Sequence, residues 1–291
     1  MAVIKARSLR KTFKNTVALA GIDLEVGEGR ILGLIGPNGA GKTTALNAIL
    51  GLTPFEGELE VLGLNPWVKR DELMREVCFI ADVAVLPRWI RVSQTLDYMQ
   101  GVHPRFDRAK AEAFLAKTTI KRTSRVRELS KGMVAQLHLA LVMAIDARLL
   151  VLDEPTLGLD LLYRKSFYDS LLGDYFDGTR TILVTTHQVE EIEHILTDVV
   201  FLNQGRIALN ATMESLEARF AQVIVGPEHL EAARALKPIN ERHALGRSAL
   251  LYDGVPRDQL AQLGEVRAPG LADLFVSLIG GANQETQGVA A

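Results

Sequence analysis

Apolar and polar positions alternate along the first part of the chain in a pattern that predicts strands. Alternation over residues 2–9 and 16–26 predicts two strands joined by a polar turn, and residues 57–62 predict a third, half-buried strand. Continuous apolar runs, which are typical of strands buried on both faces, occupy residues 30–35, 76–81, 148–154 and 180–186. Helical spacing separates several of these runs, so the pattern predicts an α/β fold.

Helical spacing replaces the strand pattern in the middle of the chain. Ser93 is the predicted N-cap of a helix over residues 94–102, and a second amphipathic helix is predicted over 106–117. Residues 133–147 are apolar on nearly every face, which predicts a largely buried third helix. We therefore predict a helical subdomain at about residues 84–146, inserted into the α/β core.

The last third of the chain predicts a second, smaller domain. A hairpin with its turn at residues 203–205 ends the first domain, which we place at residues 1–212. Short strand and helix patterns then predict a small C-terminal α/β domain over residues 213–280. The small and polar residues 281–291 predict a disordered tail.

The composition bounds the possible classes of protein. The 291 residues are 48% hydrophobic, and 33 basic against 35 acidic residues give a formal net charge of −2, so a nucleic-acid-binding function is not expected. Cys78 is the single cysteine, which excludes an internal disulfide and a cysteine-rich metal site. We expect no signal peptide, and no apolar run approaches the roughly 20 residues that span a bilayer.

The strongest chemical signal is the run Gly36-Pro37-Asn38-Gly39-Ala40-Gly41-Lys42-Thr43-Thr44. It fits G-x-x-x-x-G-K-[ST], the phosphate-binding loop, and lies between a predicted strand and a predicted helix, as that loop requires. Backbone N–H groups and the helix N-terminus of such a loop face phosphate oxygens. We expect Lys42 to reach the β- and γ-phosphates of a nucleotide and the Thr43 hydroxyl to bind Mg²⁺. The alternative is a glycine-rich turn without a ligand.

Polar side chains follow two later strands. Asp153 and Glu154 end a buried strand in the Walker B arrangement, in which Asp153 holds Mg²⁺ and Glu154 is the general base that polarises water. The alternative is that they cap the next helix. His187 ends another strand, where a ligand of an α/β sheet binds, and a contact with the γ-phosphate is expected. Its alternative is an ordinary loop histidine.

Phe13 is an aromatic residue in the predicted polar turn around Lys14 and Asn15. Close to a nucleotide loop it would stack on adenine, an interaction that contributes about 1–3 kcal/mol. The alternative is a partly buried turn residue.

The ordered set of motifs resembles the ATP-binding subunit of ABC transporters, exporter-type. The motifs are Phe13, G-P-N-G-A-G-K-T-T at 36–44, L-S-K-G-M at 129–133, L-V-L-D-E-P at 150–155, L-G-L-D at 157–160 and T-T-H at 185–187. The resemblance covers about residues 1–212, and residues 269–275 resemble a segment of subunits that serve exporter-type permeases. It implies a P-loop NTPase core with a mixed sheet, an antiparallel β subdomain, an inserted helical subdomain and a small C-terminal appendage.

The resemblance also implies an ATPase whose hydrolysis of ATP is coupled to transport. ATP would bind Phe13 and residues 36–44, while Mg²⁺ would bind Thr43, Asp153 and Asp82. Glu154, His187 and Asp82 are the implied catalytic residues. The signature residues would act on ATP held by a second subunit, with Asp160 communicating across the dimer; they are Leu129, Ser130, Lys131, Gly132 and Met133.

The implied partners are ATP, a second ATP-binding subunit and a transmembrane permease, with no nucleic acid. A homodimer is the expected assembly, although the sequence leaves open a different second subunit and the transported substrate. The permease would hold the chain on the cytoplasmic face of the membrane, and export is the expected direction. An exposed groove beside Trp89 is predicted to receive the permease, the alternative being that Trp89 packs inside the helical subdomain.

Several residues depart from the family pattern. Lys131 and Met133 replace the Gly and Gln of L-S-G-G-Q, and Ala135 and Gln136 stand where Gln and Arg are common. Asp82 occupies the position of the Q-loop glutamine, which places a further negative charge beside phosphate. This departure bears on the rate of hydrolysis and not on nucleotide binding.

Other functions fit the sequence less well. A non-transport ABC ATPase acting as a soluble nucleotide switch is the main alternative, although a long coiled-coil insertion and a second cassette are missing. The N-K-x-D motif of GTPases and the G-x-S-x-G elbow of hydrolases are also missing. The basic cluster at residues 121–127 could indicate nucleic-acid binding, but a solvated face of the helical subdomain is favoured.

Overall fold

The computed structural model describes residues 1–80, 86–157, 159, 161–244 and 246–287. Its strands are β1 (Ala2–Phe13), β2 (Thr16–Gly27), β3 (Ile31–Ile35), β4 (Glu56–Val61), β5 (Val77–Ile80), β6 (Leu149–Asp153), β7 (Thr181–Thr186), β8 (Asp198–Asn203), β9 (Arg206–Thr212), β10 (Phe220–Val225), β11 (Asn240–Ala244), β12 (Arg247–Asp253) and β13 (Glu265–Arg267). Its helices are α1 (Lys42–Ile49), α2 (Arg70–Leu73), α3 (Val92–Val102), α4 (Arg108–Ala116), α5 (Lys131–Met143), α6 (Leu161–Ser170), α7 (Val189–Ile192), α8 (Met213–Arg219), α9 (Leu230–Ala235), α10 (Arg257–Ala261) and α11 (Leu271–Gln287).

The core is a six-stranded sheet with the order β5-β6-β7-β3-β8-β9. The pairs β5–β6, β6–β7 and β7–β3 are parallel. Every residue of β3, β6 and β7 is buried, which is the reason for the continuous apolar runs in the sequence. The connections between parallel strands include helices, so the predicted α/β fold is confirmed.

A separate three-stranded antiparallel sheet has the order β2-β1-β4. Buried and exposed positions alternate along much of β2, as the sequence pattern predicts for a sheet with one face packed on the core. Phe13 is the last residue of β1, paired with Thr16, so it borders the turn rather than lying within it.

The helical insertion comprises α3, α4 and α5, between β5 and β6. The prediction that Ser93 caps α3 is wrong, because Ser93 lies inside the helix and the N-cap is Arg91. The backbone N–H groups of Val92 and Ser93 donate to the carbonyls of Ser124 and Arg122. A second segment of chain therefore satisfies the first turn of α3 and replaces a side-chain cap.

The chain divides into two compact units. One contains Met1–Leu196 and Leu202–Ile207, and the other contains Thr197–Phe201 and the chain from Ala208 onward. The second unit has an antiparallel sheet of order β11-β12-β10-β13. Its core includes Val223, Leu250, Tyr252 and Leu260.

Helix α11 extends to Gln287. The tail predicted over 281–291 therefore begins within this helix, and residues 288–291 lie outside the described residues, so its disorder stays a prediction. No helix within the described residues combines the length and the apolar character needed to cross a bilayer.

Candidate functional site

Three chain segments with predicted chemistry meet at one edge of the six-stranded sheet. The phosphate loop, residues 36–44, follows β3; Glu154 follows β6; and His187 follows β7. Because these strands are parallel neighbours, their carboxyl ends lie side by side, with Asp153 paired to Thr185 and Ile35 to Thr186. The sheet thus brings together groups that are more than 100 residues apart in the chain.

The phosphate loop presents backbone donors without protein partners. Among the described residues, the N–H groups of Gly41, Lys42 and Thr43 donate to no protein acceptor. Gly41 has a φ of 109°, and a Cβ there would lie 2.5 Å from the carbonyl oxygen of Ala18. Only glycine fits this left-handed position. The loop therefore has free donors at the start of α1, the arrangement that binds phosphate.

Lys42 is buried within the loop that it serves. Its Nζ donates to the carbonyl oxygens of Gly36, at 2.7 Å, and Pro37, at 3.3 Å. Burial lowers the pKa of Lys42, and the nearby carboxylates of Glu154 and Asp153 raise it in part. These two carbonyl contacts hold the ammonium group at the centre of the loop.

Asp153 links the phosphate loop to β7. Its Oδ2 accepts a hydrogen bond from the Thr43 hydroxyl at 3.3 Å, and its Oδ1 accepts one from the Thr185 hydroxyl at 2.5 Å. Asp153 is 6% exposed. The pair Thr43 and Asp153 therefore offers oxygen atoms of the kind that Mg²⁺ prefers.

Glu154 and His187 form a direct pair. The Nδ1 of His187 lies 2.9 Å from Oε2 of Glu154. Glu154 has a φ of 48°, and this left-handed conformation costs a non-glycine residue about 1–2 kcal/mol. Its N–H donates to the carbonyl of Thr185, at 3.1 Å, which helps to hold the strained backbone. Backbone strain of this kind is concentrated at functional sites.

Thr185 and Arg164 hold this site together, and neither has a role among the predicted site residues. Thr185 bonds Asp153 and also Glu154, whose N–H lies 3.3 Å from its hydroxyl. The side chain of Arg164, on α6, donates to the carbonyl of Leu159, at 2.7 Å, to Gln188, at 2.6 Å, and to Glu191. Thr185 opens the motif T-T-H at 185–187, and that position at the end of a buried strand is a signal that could have identified it. Arg164 has no comparable signal in the sequence.

The signature residues form the start of α5. The Ser130 hydroxyl accepts a hydrogen bond from the N–H of Met133 at 3.2 Å and is the N-cap of the helix. Gly132 lies against Tyr163 of α6, since a Cβ on Gly132 would be 2.5 Å from the tyrosine ring. Ser130 and Lys131 are exposed. No hydrogen bond of the described residues joins residues 129–133 to the phosphate loop.

The remaining predicted site residues have different outcomes. Phe13 is 49% exposed, with the Lys11 ammonium 4.9 Å from its ring centre. It pairs with Thr16, two residues before Ala18, whose carbonyl approaches Gly41. Asp82 and Asp160 lie outside the described residues, so their predicted roles stay predictions.

Comparisons with known proteins agree on one family. A family model described as ABC transporter matches residues 19–157. The chain is 32% identical to the Nod factor export ATP-binding protein I of Cupriavidus metallidurans, covering 96% of this chain and 98% of that protein. It is 32% identical to the daunorubicin resistance ATP-binding protein DrrA3 of Streptomyces coeruleorubidus, over 79% and 76% of the two chains.

A solved structure described as the ATP binding subunit of an ABC transporter has the same fold. It superposes with a TM-score of 0.66 at 22% identity, over 74% of this chain and 92% of that one. The motif order, the sheet that gathers the phosphate loop with Asp153, Glu154 and His187, and the full-length relatives lead to one conclusion. The chain belongs to the ABC transporter family, as one of its ATP-binding proteins.

Proposed function

We propose that this chain hydrolyses ATP in a site shared by two subunits and uses the cycle of dimer formation and release to drive an export permease. The observation that carries the proposal is the position of the signature. Ser130 and the N-terminus of α5 are exposed donors, and no hydrogen bond of the described residues ties them to the phosphate loop. A second subunit can therefore bring its α5 N-terminus to the open side of a bound phosphate.

Each residue of the site at the carboxyl ends of β3, β6 and β7 has a role in this proposal. The N–H groups of residues 41–43 and the Lys42 ammonium bind the phosphates. When water attacks the γ-phosphorus of ATP and ADP leaves, Glu154 accepts the proton of that water. His187 orients the Glu154 carboxylate through the 2.9 Å contact. Phe13 stacks on the adenine. Arg164 is a positioning residue, because its contacts join the loop at Leu159 to Gln188, which follows His187.

The residues fit a divalent cation. Thr43 and Asp153 supply neighbouring oxygen atoms, and Thr185 fixes the aspartate through its second oxygen. Mg²⁺ held there would neutralise charge that develops between the β- and γ-phosphates. Because Thr185 bonds Oδ1, the Oδ2 atom of Asp153 lies beside the Thr43 hydroxyl, where both oxygen atoms could bind that ion.

Complementation between two inactive variants tests the shared site. Ser130→Asp keeps a good helix cap but sets a negative charge against phosphate, and Lys42→Met removes the phosphate-binding cation. We expect each variant alone to be inactive. A mixture of equal amounts should regain activity that neither variant has alone, up to roughly half of the wild-type rate, because each mixed dimer contains one intact site of its two.

The control for this experiment is a measurement of dimer formation in the mixture by differently tagged chains. A mixture that forms mixed dimers and remains as inactive as its parents would contradict a shared site.

The permease part of the proposal is supported by an apolar cleft in the first unit. The cleft measures about 830 Å³, and its walls include Met74, Cys78, Leu86, Met99, Val102 and Leu141. Burial raises the pKa of the Cys78 thiol to about 12 and lowers the pKa of His138, another wall residue, to about 4. Both groups are therefore neutral at pH 7, which suits an apolar helix in a groove. Trp89 is 66% exposed, so the alternative that it packs inside the subdomain is wrong, but it does not line this cleft, and a permease contact at Trp89 stays a prediction.

Export is the direction that the two named relatives favour, since one is a Nod factor export protein and the other a daunorubicin resistance protein. The permease would place the chain at the cytoplasmic face of the membrane.

Val102→Glu tests the cleft. Val102 lines it and is 60% exposed, so a carboxylate there should leave the fold and the ATP hydrolysis of the isolated chain unchanged. We expect the variant to lose co-purification with the membrane protein that the wild-type chain captures in detergent extracts of its host, because the added charge meets an apolar helix. Val68→Glu, at a residue that is 71% exposed and does not line the cleft, is the matched control. Equal capture by both variants would contradict docking in the cleft.

A further inference from the structure

The basic cluster at residues 121–127 pairs with a second arginine-containing segment, residues 88–93. The N–H groups of Val126 and Arg127 donate to the carbonyls of Ile90 and Arg88, each at 3.0 Å. Together with the bonds that begin α3, these contacts connect residues 88–93 to residues 121–127 like two short strands.

This pairing separates apolar from charged side chains. Ile90, Val92 and Val126 are buried. The basic and aromatic side chains of the same two segments form what we call the basic surface: Arg88, Trp89, Arg91, Lys121, Arg122, Arg125 and Arg127. All of these are exposed except Arg125, which is partly buried.

Most of the charge on the basic surface is not neutralised. Within the described residues, Arg122 is the one of its six cations that lies within 4.0 Å of a carboxylate, with Glu112 at 3.1 Å. Glu128 follows in the chain, and its carboxylate accepts from the backbone N–H of Arg125, so six cations stand against two nearby carboxylates, Glu112 and Glu128. By contrast, Arg105 and Arg108 of the same subdomain are paired with Glu76 and with Asp97 and Glu112. The surface therefore carries a local positive excess on a chain whose net charge is −2.

We propose that the basic surface binds the anionic headgroups of a phospholipid bilayer. Clustered Lys and Arg side chains are attracted to anionic lipids, and tryptophan is enriched at the boundary between headgroups and hydrocarbon. Trp89, with Arg88 before it and Arg91 two residues after it, combines both features. The surface also follows Leu86, a wall of the cleft, so lipid contact on this side rests on the proposed docking of the permease.

Nucleic acid is the competing partner for a basic surface with an exposed aromatic. Bilayer binding is favoured because the chain has no overall basic excess to attract nucleic acid, and because the neighbouring cleft faces a membrane protein in the proposed function.

The test uses the full chain carrying Trp67→Phe, which leaves Trp89 as the single tryptophan. Vesicles of phosphatidylglycerol and phosphatidylcholine in equal parts are compared with vesicles of phosphatidylcholine alone. We expect co-sedimentation and a blue shift of Trp89 emission with the anionic vesicles only, both weakened by salt because exposed charges are screened.

The triple variant Arg88→Gln, Lys121→Gln and Arg127→Gln should lower the vesicle partition coefficient about 100-fold, at about five-fold for each cation. The matched control removes three exposed cations from other strands, through Arg7→Gln, Arg10→Gln and Arg247→Gln. We expect the control to bind vesicles like its parent. Melting temperatures establish that both variants are folded.

Three results would overturn the lipid surface: no binding of anionic vesicles by the parent, equal loss of binding in both triple variants, or binding of a DNA or RNA oligonucleotide through these residues with no vesicle binding. ATP hydrolysis is measured on the same samples. If the parent chain binds anionic vesicles but does not hydrolyse ATP, the proposed function is contradicted and the lipid surface is supported.

Discussion

Glu154→Gln is expected to lower the rate of ATP hydrolysis by roughly 10²- to 10⁴-fold while ATP binding persists. The glutamine has the same shape and can keep a contact with His187, which lies 2.9 Å from the glutamate oxygen. It has no basicity with which to accept the proton of the attacking water. Steady-state turnover and ATP affinity, measured on the same preparation, separate the two effects.

The matched control for this variant is Glu190→Gln. Glu190 is an exposed carboxylate three residues after His187, and removing its charge should leave turnover near that of the wild type. Near-normal turnover in Glu154→Gln would remove Glu154 from the role of general base. A similar loss of turnover in Glu154→Gln and Glu190→Gln would show that the effect comes from removing a negative charge near the site and not from removing the general base.

Lys42→Met is expected to weaken ATP binding about 100-fold or more without unfolding the chain. A charge-assisted hydrogen bond contributes about 1.5–3 kcal/mol, and Lys42 can make such bonds to more than one phosphate. Methionine keeps most of the buried stem, so the packing of the loop is retained. The measurement is calorimetric titration with ATP, alongside the free energy of unfolding.

The structure changes one detail of this expectation. The lysine does not stand free in the loop, because its Nζ donates to the Gly36 carbonyl at 2.7 Å. Some loss of stability, of about 1 kcal/mol, should therefore accompany the loss of affinity. Lys69→Ala is the control, since Lys69 is exposed and contacts only Glu72 among the described carboxylates. Unchanged ATP affinity in Lys42→Met would contradict the nucleotide site as a whole.

The sequence predicts the site at the carboxyl ends of β3, β6 and β7 well, because the motifs that form it are each contained in a short stretch of chain. A glycine loop between a strand and a helix, together with polar residues at the ends of buried strands, is enough to place Lys42, Asp153 and His187 at one sheet edge. The contact between Glu154 and His187 is a consequence of parallel pairing between β6 and β7.

Features that depend on tertiary contacts are not visible in the sequence. The Ser93 cap is wrong because carbonyls of residues 122–124 satisfy the helix start. The sequence has no strand pattern for β11, since its residues Asn240–Ala244 are polar or small. They lie at the edge of their sheet and are held by backbone pairing with β12. The left-handed φ of Glu154 and the three contacts of Arg164 likewise depend on neighbours distant in the chain.

The mass in solution of the Glu154→Gln chain tests the central claim most directly, because that variant should bind ATP and fail to release it. With saturating Mg²⁺ and ATP, light scattering should give twice the 31.9 kDa of one chain. With ADP in place of ATP, the mass should be that of a single chain. The double variant Glu154→Gln and Lys42→Met should also have the mass of a single chain when ATP is present. A single-chain mass while ATP is shown to be bound would contradict a site shared between two copies.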